Sequence, residues 1–180
     1  MEKLKFAFYW AASCGGCEIA VLDINEKILD VAAKADIVFW PVALDVKYKD
    51  VEAMQDKSID VCFFNGAIRN EENEHMAKVL RRKSKILVAF GSCACDGCVI
   101  GLGNLWNKEK IFERAYLETP STNNPQGITP QTRFKVAHGE LELPEFYDTV
   151  KTLAQTVDVD YFISGCPPPV PRIIEALDAI

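Results

Sequence analysis

Short apolar runs and segments of helical period alternate along most of this chain. The runs are rich in aromatic and β-branched residues and are bounded by turn residues, so they predict buried strands. These predicted strands cover residues 3–10, 36–43, 59–65, 85–91 and 160–164. Residues 18–33 and 70–83 repeat apolar positions at helical spacing and predict helices. The alternation predicts an α/β fold: an open, mostly parallel five-stranded sheet with helices on both faces.

The order of the strands in such a sheet has two interpretations. The flavodoxin-like order, 2-1-3-4-5, is favoured, and a Rossmann order is the alternative. In either order the carboxyl ends of the strands form the edge at which ligands bind. The 180 residues are enough for one sizeable core and carry no repeat or linker, so we expect residues 1–180 to form a single domain.

The pattern is weaker between residue 108 and the last strand. Residues 108–116 predict a short helix, and residues 118–139, with three prolines and little periodicity, predict a long surface excursion of the kind that binds partners. Pro144 is placed to begin a helix that continues over residues 145–155. After the last strand, residues 171–180 predict an amphipathic helix.

Composition and charge exclude several classes of function. Hydrophobic residues make up 49% of the chain and charged residues 26%, as in ordinary globular proteins. The formal net charge of −6, without a basic stripe, argues against a nucleic-acid partner. No apolar run is long enough to span a bilayer, and the N-terminus lacks the apolar core of a signal peptide. We therefore expect a cytoplasmic protein.

Seven cysteines are the main chemical signal in the sequence. A reducing cytoplasm disfavours disulfides, and an odd number of cysteines cannot pair completely within one chain. Metal ligation or thiol chemistry is the better explanation. Four of the seven directly follow predicted strands, and they are Cys14, Cys17, Cys93 and Cys166.

Parallel strands bring their carboxyl ends to one edge, so we expect these four thiols to meet there. Four thiolates suit a [4Fe–4S] cluster or a zinc site with four cysteine ligands, and the cluster is favoured. A strand followed by CxxC and a helix also fits a thioredoxin-like dithiol, which would not need cysteines after two further strands. Glycines beside the cysteines would let backbone N–H groups approach sulfur, and they are Gly15, Gly16, Gly91 and Gly165.

Three further residues have competing interpretations. Cys62 lies inside an apolar strand and is expected to be a core residue. Cys95 is close to Cys93 in sequence, but its spacing favours a structural role over ligation. Glu18 follows Cys17 and either serves the metal site, by moving protons or holding a partner, or stabilises the start of a helix.

Three motifs carry a family resemblance: Cys14-Gly-Gly-Cys17-Glu, Gly91-Ser-Cys93-Ala and Gly165-Cys166-Pro-Pro. In this order they resemble the proximal-cluster motifs of [NiFe]-hydrogenase small subunits. The segment Gly101-Leu-Gly-Asn-Leu-Trp106 further resembles the corresponding segment of the cytoplasmic methyl-viologen-reducing (F420-non-reducing) type of these subunits. The resemblance covers nearly the whole chain.

The resemblance implies a flavodoxin-like iron–sulfur domain docked against a large subunit that carries nickel and iron. One proximal [4Fe–4S] cluster would be held by Cys14, Cys17, Cys93 and Cys166. The chain would relay electrons, without catalysis of its own, to further iron–sulfur or heterodisulfide-reductase-like subunits. Two alternatives stay open: an iron–sulfur relay in a related complex that lacks nickel, and a zinc-stabilised scaffold subunit.

Two departures from the family pattern matter. Full-length members continue past the third motif into a region with further cysteines, so we expect this domain to be the N-terminal part of a longer small subunit. Cys98 stands where oxygen-tolerant relatives carry a supernumerary cysteine, and it is a candidate near-cluster residue. Those relatives have another cysteine where this chain has Gly16, so we expect an ordinary four-sulfide cluster with Cys98 beside it.

Overall fold

The computed structural model describes residues 3–179. Three residues lie outside the described part of the chain. Met1 and Glu2 belong to the N-terminal segment in which no signal peptide is predicted, and Ile180 is the last residue of the predicted terminal helix. The strands are β1 (Leu4–Trp10), β2 (Ala35–Phe39), β3 (Ile59–Asn65), β4 (Ile68–Asn70), β5 (Ser84–Phe90), β6 (Arg133–Val136), β7 (Gly139–Glu142), β8 (Phe146–Lys151) and β9 (Tyr161–Ile163). The α-helices are α1 (Gly16–Leu22), α2 (Lys27–Lys34), α3 (Tyr48–Ala53), α4 (Glu71–Lys83), α5 (Ser92–Asp96), α6 (Cys98–Gly101), α7 (Lys108–Phe112) and α8 (Val170–Asp178).

Five of these strands form the main sheet in the order β2-β1-β3-β5-β9, and every neighbouring pair is parallel. Numbered within the sheet, this is the flavodoxin-like order 2-1-3-4-5, so the prediction of fold class and topology is confirmed. The strands are apolar along most of their length because a parallel sheet is covered on both faces.

Each face of the sheet supports its own core. On one face, Tyr9 and Phe64 pack with Met76 and Leu80 of α4 and with Val51 of α3. On the other face, side chains of β1, β3 and β5 pack with α1 and with Ile173 of α8. Helix α4 begins where the side chain of Asn70 accepts a hydrogen bond from the N–H of Asn73 at 2.8 Å. Asn70 therefore caps this helix.

The predicted helix over residues 18–33 is two helices. The chain turns between α1 and α2, where Asn25 takes a left-handed φ of 55° that interrupts helical hydrogen bonding. The second predicted strand also ends early, at Phe39 rather than residue 43. After it the Trp40 carbonyl accepts from the N–H groups of Ala43 and Leu44, which forms a turn.

The largest errors lie between residues 108 and 155. Residues 145–155 are not a helix: β8 pairs antiparallel with β4, and a short 3-10 turn, Leu153–Gln155, follows it. Within the predicted excursion 118–139, β6 forms an exposed hairpin with β7. The predicted helix 108–116 is α7 continued by a π-helical turn, Glu113–Glu118. Within residues 3–179, no helix is long and apolar enough to cross a membrane.

Candidate metal centre

The carboxyl edge of the main sheet carries the four predicted ligand cysteines. Cys14 lies in the loop after β1, and Cys17 lies in the first turn of α1. Cys93 lies in α5, directly after β5, and Cys166 follows β9. The parallel sheet thus brings together side chains that are up to 152 residues apart, as 166 − 14 gives.

The thiols lie close enough to affect one another's ionisation. Burial raises the pKa of Cys17 to about 12, and the neighbouring Cys93 and Cys14 contribute to the rise. Burial likewise raises the pKa of Cys93 to about 11, with contributions from Cys98 and Cys166. Cys17 and Cys93 are buried, whereas Cys14 and Cys166 are exposed. The group therefore has a dry side toward the core and an open side toward the surface.

A cationic metal centre is the chemistry that this donor set fits. At neutral pH, thiols with such raised pKa values stay protonated, and metal binding would be needed to make them thiolates. Within residues 3–179, no three Cys, His, Asp or Glu side chains converge closely enough to bind a single metal ion. Four cysteine thiols are the donor set of a zinc site or of a [4Fe–4S] cluster.

Gly91 provides the space for one of these sulfurs. It follows β5 with φ at +85°, and a Cβ atom on it would lie 2.3 Å from Sγ of Cys17. Its N–H donates to the carbonyl of Ile163 in β9 at 2.7 Å, so the backbone at this position is fixed. Glycine is required at this position by the approach of a sulfur 74 residues away, as 91 − 17 gives, whereas its N–H binds a carbonyl and not a sulfur as expected.

Two of the cysteine loops are joined directly through Ser92, a residue for which the sequence patterns predicted no role. The N–H of Ser92 donates to the Gly165 carbonyl at 2.8 Å, and the N–H of Gly165 donates to Oγ of Ser92 at 3.1 Å. The hydroxyls of Ser92 and Ser164 also lie 3.1 Å apart. The sequence signals this contact only by placing a serine near a candidate ligand at the ends of two neighbouring strands. The contact fixes the loop of Cys93 against the loop of Cys166.

The loop of Cys14 is held by its own glycines and by Trp10. The N–H of Gly16 donates to Sγ of Cys14 at 3.4 Å, as predicted for the glycines of this motif. Trp10 covers Gly15, where a Cβ atom would lie 2.8 Å from the indole ring. The indole N–H donates to the Ser13 carbonyl at 3.2 Å. Trp10 therefore packs on the cysteine loop and is not part of either core.

Glu18 is a buried carboxylate rather than a surface charge at a helix start. The indole N–H of Trp40 donates to one carboxylate oxygen, and the side-chain amide of Asn65 donates to the other at 3.3 Å. Burial raises the pKa of Glu18, and these two hydrogen bonds oppose the rise. The sequence contained no signal for either partner, since both lie on other strands or their ends.

The remaining cysteines separate clearly. Cys62 is fully buried in β3, and Sγ of Cys95 donates to the Ala89 carbonyl at 3.5 Å, so the structural interpretation of both is confirmed. Cys98 adjoins Cys166, and a hydrogen bond between them is the main cause that raises the pKa of the Cys166 thiol. Cys98 takes a left-handed φ of 44° directly after Gly97. It is thus a fifth thiol, near Cys93 and Cys166.

Comparison with known proteins gives a consistent family. The sequence family described as NADH ubiquinone oxidoreductase, 20 Kd subunit, matches residues 14–180. The iron-sulfur subunit of the F420-non-reducing hydrogenase of Archaeoglobus profundus is 47% identical over 178 residues, which are 98% of this chain and 56% of that protein. The corresponding F420-non-reducing hydrogenase subunit of Methanothermobacter thermautotrophicus is 36% identical over 99% of this chain and 54% of its own length. The chain thus spans about half the length of these curated relatives.

Solved structures agree with this assignment. A chain of the NAD+-reducing [NiFe]-hydrogenase in the H2-reduced state superposes with a TM-score of 0.82 and 25% identity. The match covers 99% of this chain and 93% of that one. A chain of the [NiFeSe] hydrogenase from Desulfovibrio vulgaris Hildenborough shares the fold, with a TM-score of 0.59 and 13% identity over 99% of this chain and 59% of that one. This chain belongs to the NADH ubiquinone oxidoreductase 20 Kd subunit family and is of its [NiFe]-hydrogenase small-subunit type.

Proposed function

We propose that this chain is an electron-transfer subunit of a cytoplasmic [NiFe]-hydrogenase complex. In this proposal one proximal [4Fe–4S] cluster is held by Cys14, Cys17, Cys93 and Cys166. The observation that carries the proposal is the convergence of four thiols at one edge of the sheet, where burial and neighbouring thiols raise the pKa values of Cys17 and Cys93 and keep them protonated until a cationic centre binds. The glycine opposite the Cys17 sulfur supports it, since no larger residue leaves room for that ligand.

The cluster, when bound, supplies one-electron transfer, and the chain's own residues set its environment. Cys17 and Cys93 would hold the cluster's buried side, away from water. The N–H of Gly16, which donates to the Cys14 sulfur, would stabilise the thiolate form and tune the potential. Ser92 would keep the loops of Cys93 and Cys166 at a fixed separation. In this proposal the chain carries out no bond-making chemistry of its own.

The partner in this proposal is a large subunit that carries nickel and iron. Exposed apolar side chains follow helix α5, which carries Cys93, and support this assignment, because exposed apolar surface marks protein interfaces. These side chains are Val99, Leu102, Leu105 and Trp106, which are 65%, 61%, 74% and 62% exposed. Further iron–sulfur or heterodisulfide-reductase-like subunits are proposed from the family resemblance alone. A cytoplasmic location is supported by the seven free cysteines.

We also propose that residues 1–180 form one flavodoxin-like domain at the N-terminal end of a longer small subunit. Two observations support this. The main sheet draws strands from both ends of the described chain, from β1 to β9. The curated relatives are nearly twice as long as the region that they share with this chain.

The test is anaerobic purification of the complex, followed by metal analysis and spectroscopy. We expect nickel, iron that exceeds sulfide by one atom per nickel, a broad brown absorption that bleaches on reduction by hydrogen, and a cluster EPR signal. Iron and sulfide without nickel would favour the related complex that lacks a nickel site. A colourless protein with stoichiometric zinc in this subunit would contradict the proposal and support the zinc scaffold.

A further inference from the structure

The motif Gly101–Trp106 forms a structural link that the proposed function does not by itself explain. It forms a 3-10 turn, Leu102–Leu105, between α6 and α7, at the end of the segment 91–105, the Cys93 loop. Within it, the Asn104 amide N–H₂ donates to the Val150 carbonyl at 2.9 Å, and the amide oxygen accepts from the Val150 N–H at 2.6 Å. Asn104 therefore binds both backbone groups of one residue of β8, as a neighbouring strand would.

A second contact holds the same turn. Arg69 of β4 is buried, its guanidinium lies 4.1 Å from the centre of the Phe146 ring, and it donates to the Asp148 carbonyl at 3.4 Å. The same guanidinium lies 3.6 Å from where a Cβ atom of Gly103 would be. The turn is therefore packed against both strands of the small β4–β8 sheet.

The end of this small sheet at which Ile68 pairs with Lys151, next to Val150, also reaches the first cysteine loop. Strand β4 follows Ala67, whose N–H donates to the Ala12 carbonyl at 2.9 Å. The Ala12 N–H donates back to the Ala67 carbonyl at 3.1 Å. Ala12 lies two residues before Cys14. A continuous hydrogen-bonded path thus runs from the Cys14 loop through β4 and β8 to Asn104, at the end of the Cys93 loop.

Local structure alone cannot hold the Cys93 loop in place. Helices α5 and α6 have five and four residues, too few to be stable by their own hydrogen bonds. Strand β5 and the hydrogen bonds between Ser92 and Gly165 fix only the beginning of the loop, and both α6 and the 3-10 turn lie against β8. We propose that Asn104 is a positioning residue that fixes the Cys93 loop relative to the Cys14 loop by anchoring it to the β4–β8 sheet. This inference rests on the proposed cluster.

The experiment compares Asn104→Ala with Asn70→Ala in the full chain, purified anaerobically with its partner subunits. Asn70 is the last residue of β4, and its side chain binds Asn73 of α4 rather than the Cys93 loop, so its removal controls for lost stability in the same small sheet. The measurements are the EPR spectrum of the reduced cluster and the rate at which a ferrous chelator removes its iron. We expect Asn104→Ala to broaden the spectrum and to release iron roughly tenfold faster, because two hydrogen bonds to β8 are lost. Asn70→Ala should keep the unsubstituted spectrum and rate.

A conservative variant covers the case in which Asn104→Ala does not fold. Asn104→Asp keeps the acceptor for the Val150 N–H and loses the donor to its carbonyl, so it should give an intermediate rate and spectrum. If both Asn104 variants behave like Asn70→Ala, the positioning role is overturned. If the unsubstituted chain holds no cluster, the proposed function itself fails, and the inference fails with it.

Discussion

Substitution of Gly91 by alanine tests the assignment of Cys17 as a ligand most directly. The added methyl group would lie 2.3 Å from Sγ of Cys17. The next nearest side-chain atom, Cβ of Cys17, is 3.6 Å away. The sulfur alone is therefore displaced. Gly91 also holds φ at +85°, which an alanine rarely adopts.

The expected effect is large compared with what a metal site tolerates. A carbon–sulfur contact needs about 3.5 Å, so the sulfur must move by about 1.2 Å. Ligand distances in metal sites vary by only about 0.2 Å. The unfavourable backbone conformation adds about 1–3 kcal/mol of strain. We expect Gly91→Ala to fold less stably and to lose the cluster or keep it with one iron released.

The assay is the iron and sulfide content and the EPR spectrum of the purified complex, with Gly127→Ala as control. Gly127 also has a positive φ, +64°, but a Cβ atom there would meet only a leucine methyl group at 4.0 Å. Gly127→Ala should therefore suffer a backbone cost of the same kind and keep the cluster. A full iron content and an unchanged spectrum in Gly91→Ala would refute the ligand role of Cys17.

Three further predictions follow from the same geometry. Cys166→Ala should lose the proximal cluster or convert it to a three-iron form in EPR, whereas Cys62→Ala, which removes a buried core thiol, should keep its iron and lose about 1 kcal/mol of stability. Cys98→Gly should keep the midpoint potential within roughly tens of millivolts in a redox titration, and a larger shift would place Cys98 among the ligands. Partial burial alone would raise the pKa of Asp160, but hydrogen bonds from Arg81 and a backbone N–H hold it below its ordinary value. This stabilisation is present above pH about 4 and is lost as the pH falls through the lower folded-state pKa. Asp160→Asn should therefore lower the free energy of unfolding in urea at pH about 6. The loss should become progressively smaller below pH about 4.

The sequence alone determined the main sheet and the location of its functional edge. The apolar patterns predict β3 at its observed bounds, and β1 and β5 within one residue, because strands buried on both faces are apolar along their length. The cysteines directly after β1, β5 and β9 then had to share one edge, because parallel strands end on the same side. The predicted meeting of Cys14, Cys17, Cys93 and Cys166 needed no further information.

Only the tertiary structure decided which secondary structure residues 145–155 adopt. Phe146, Val150 and Leu153 recur at helical spacing, and Pro144 is a favourable first residue of a helix, so the local signal favoured the wrong element. The segment is a strand because β4, nearly 80 residues earlier in the chain, offers an edge with which it pairs. Hydrogen bonding to a distant edge leaves no local pattern in the sequence.

The tertiary structure also decided what individual residues at the site do. The sequence predicts that Gly91 allows a special backbone conformation, but its nearest neighbour, the sulfur of Cys17, could not be identified from the sequence. The same holds for Glu18, whose partners Trp40 and Asn65 come from other elements, and for Asn104, which binds β8. Periodicity along a chain records which side of an element is buried, whereas contacts between loops depend on how the strands that precede them are arranged in space.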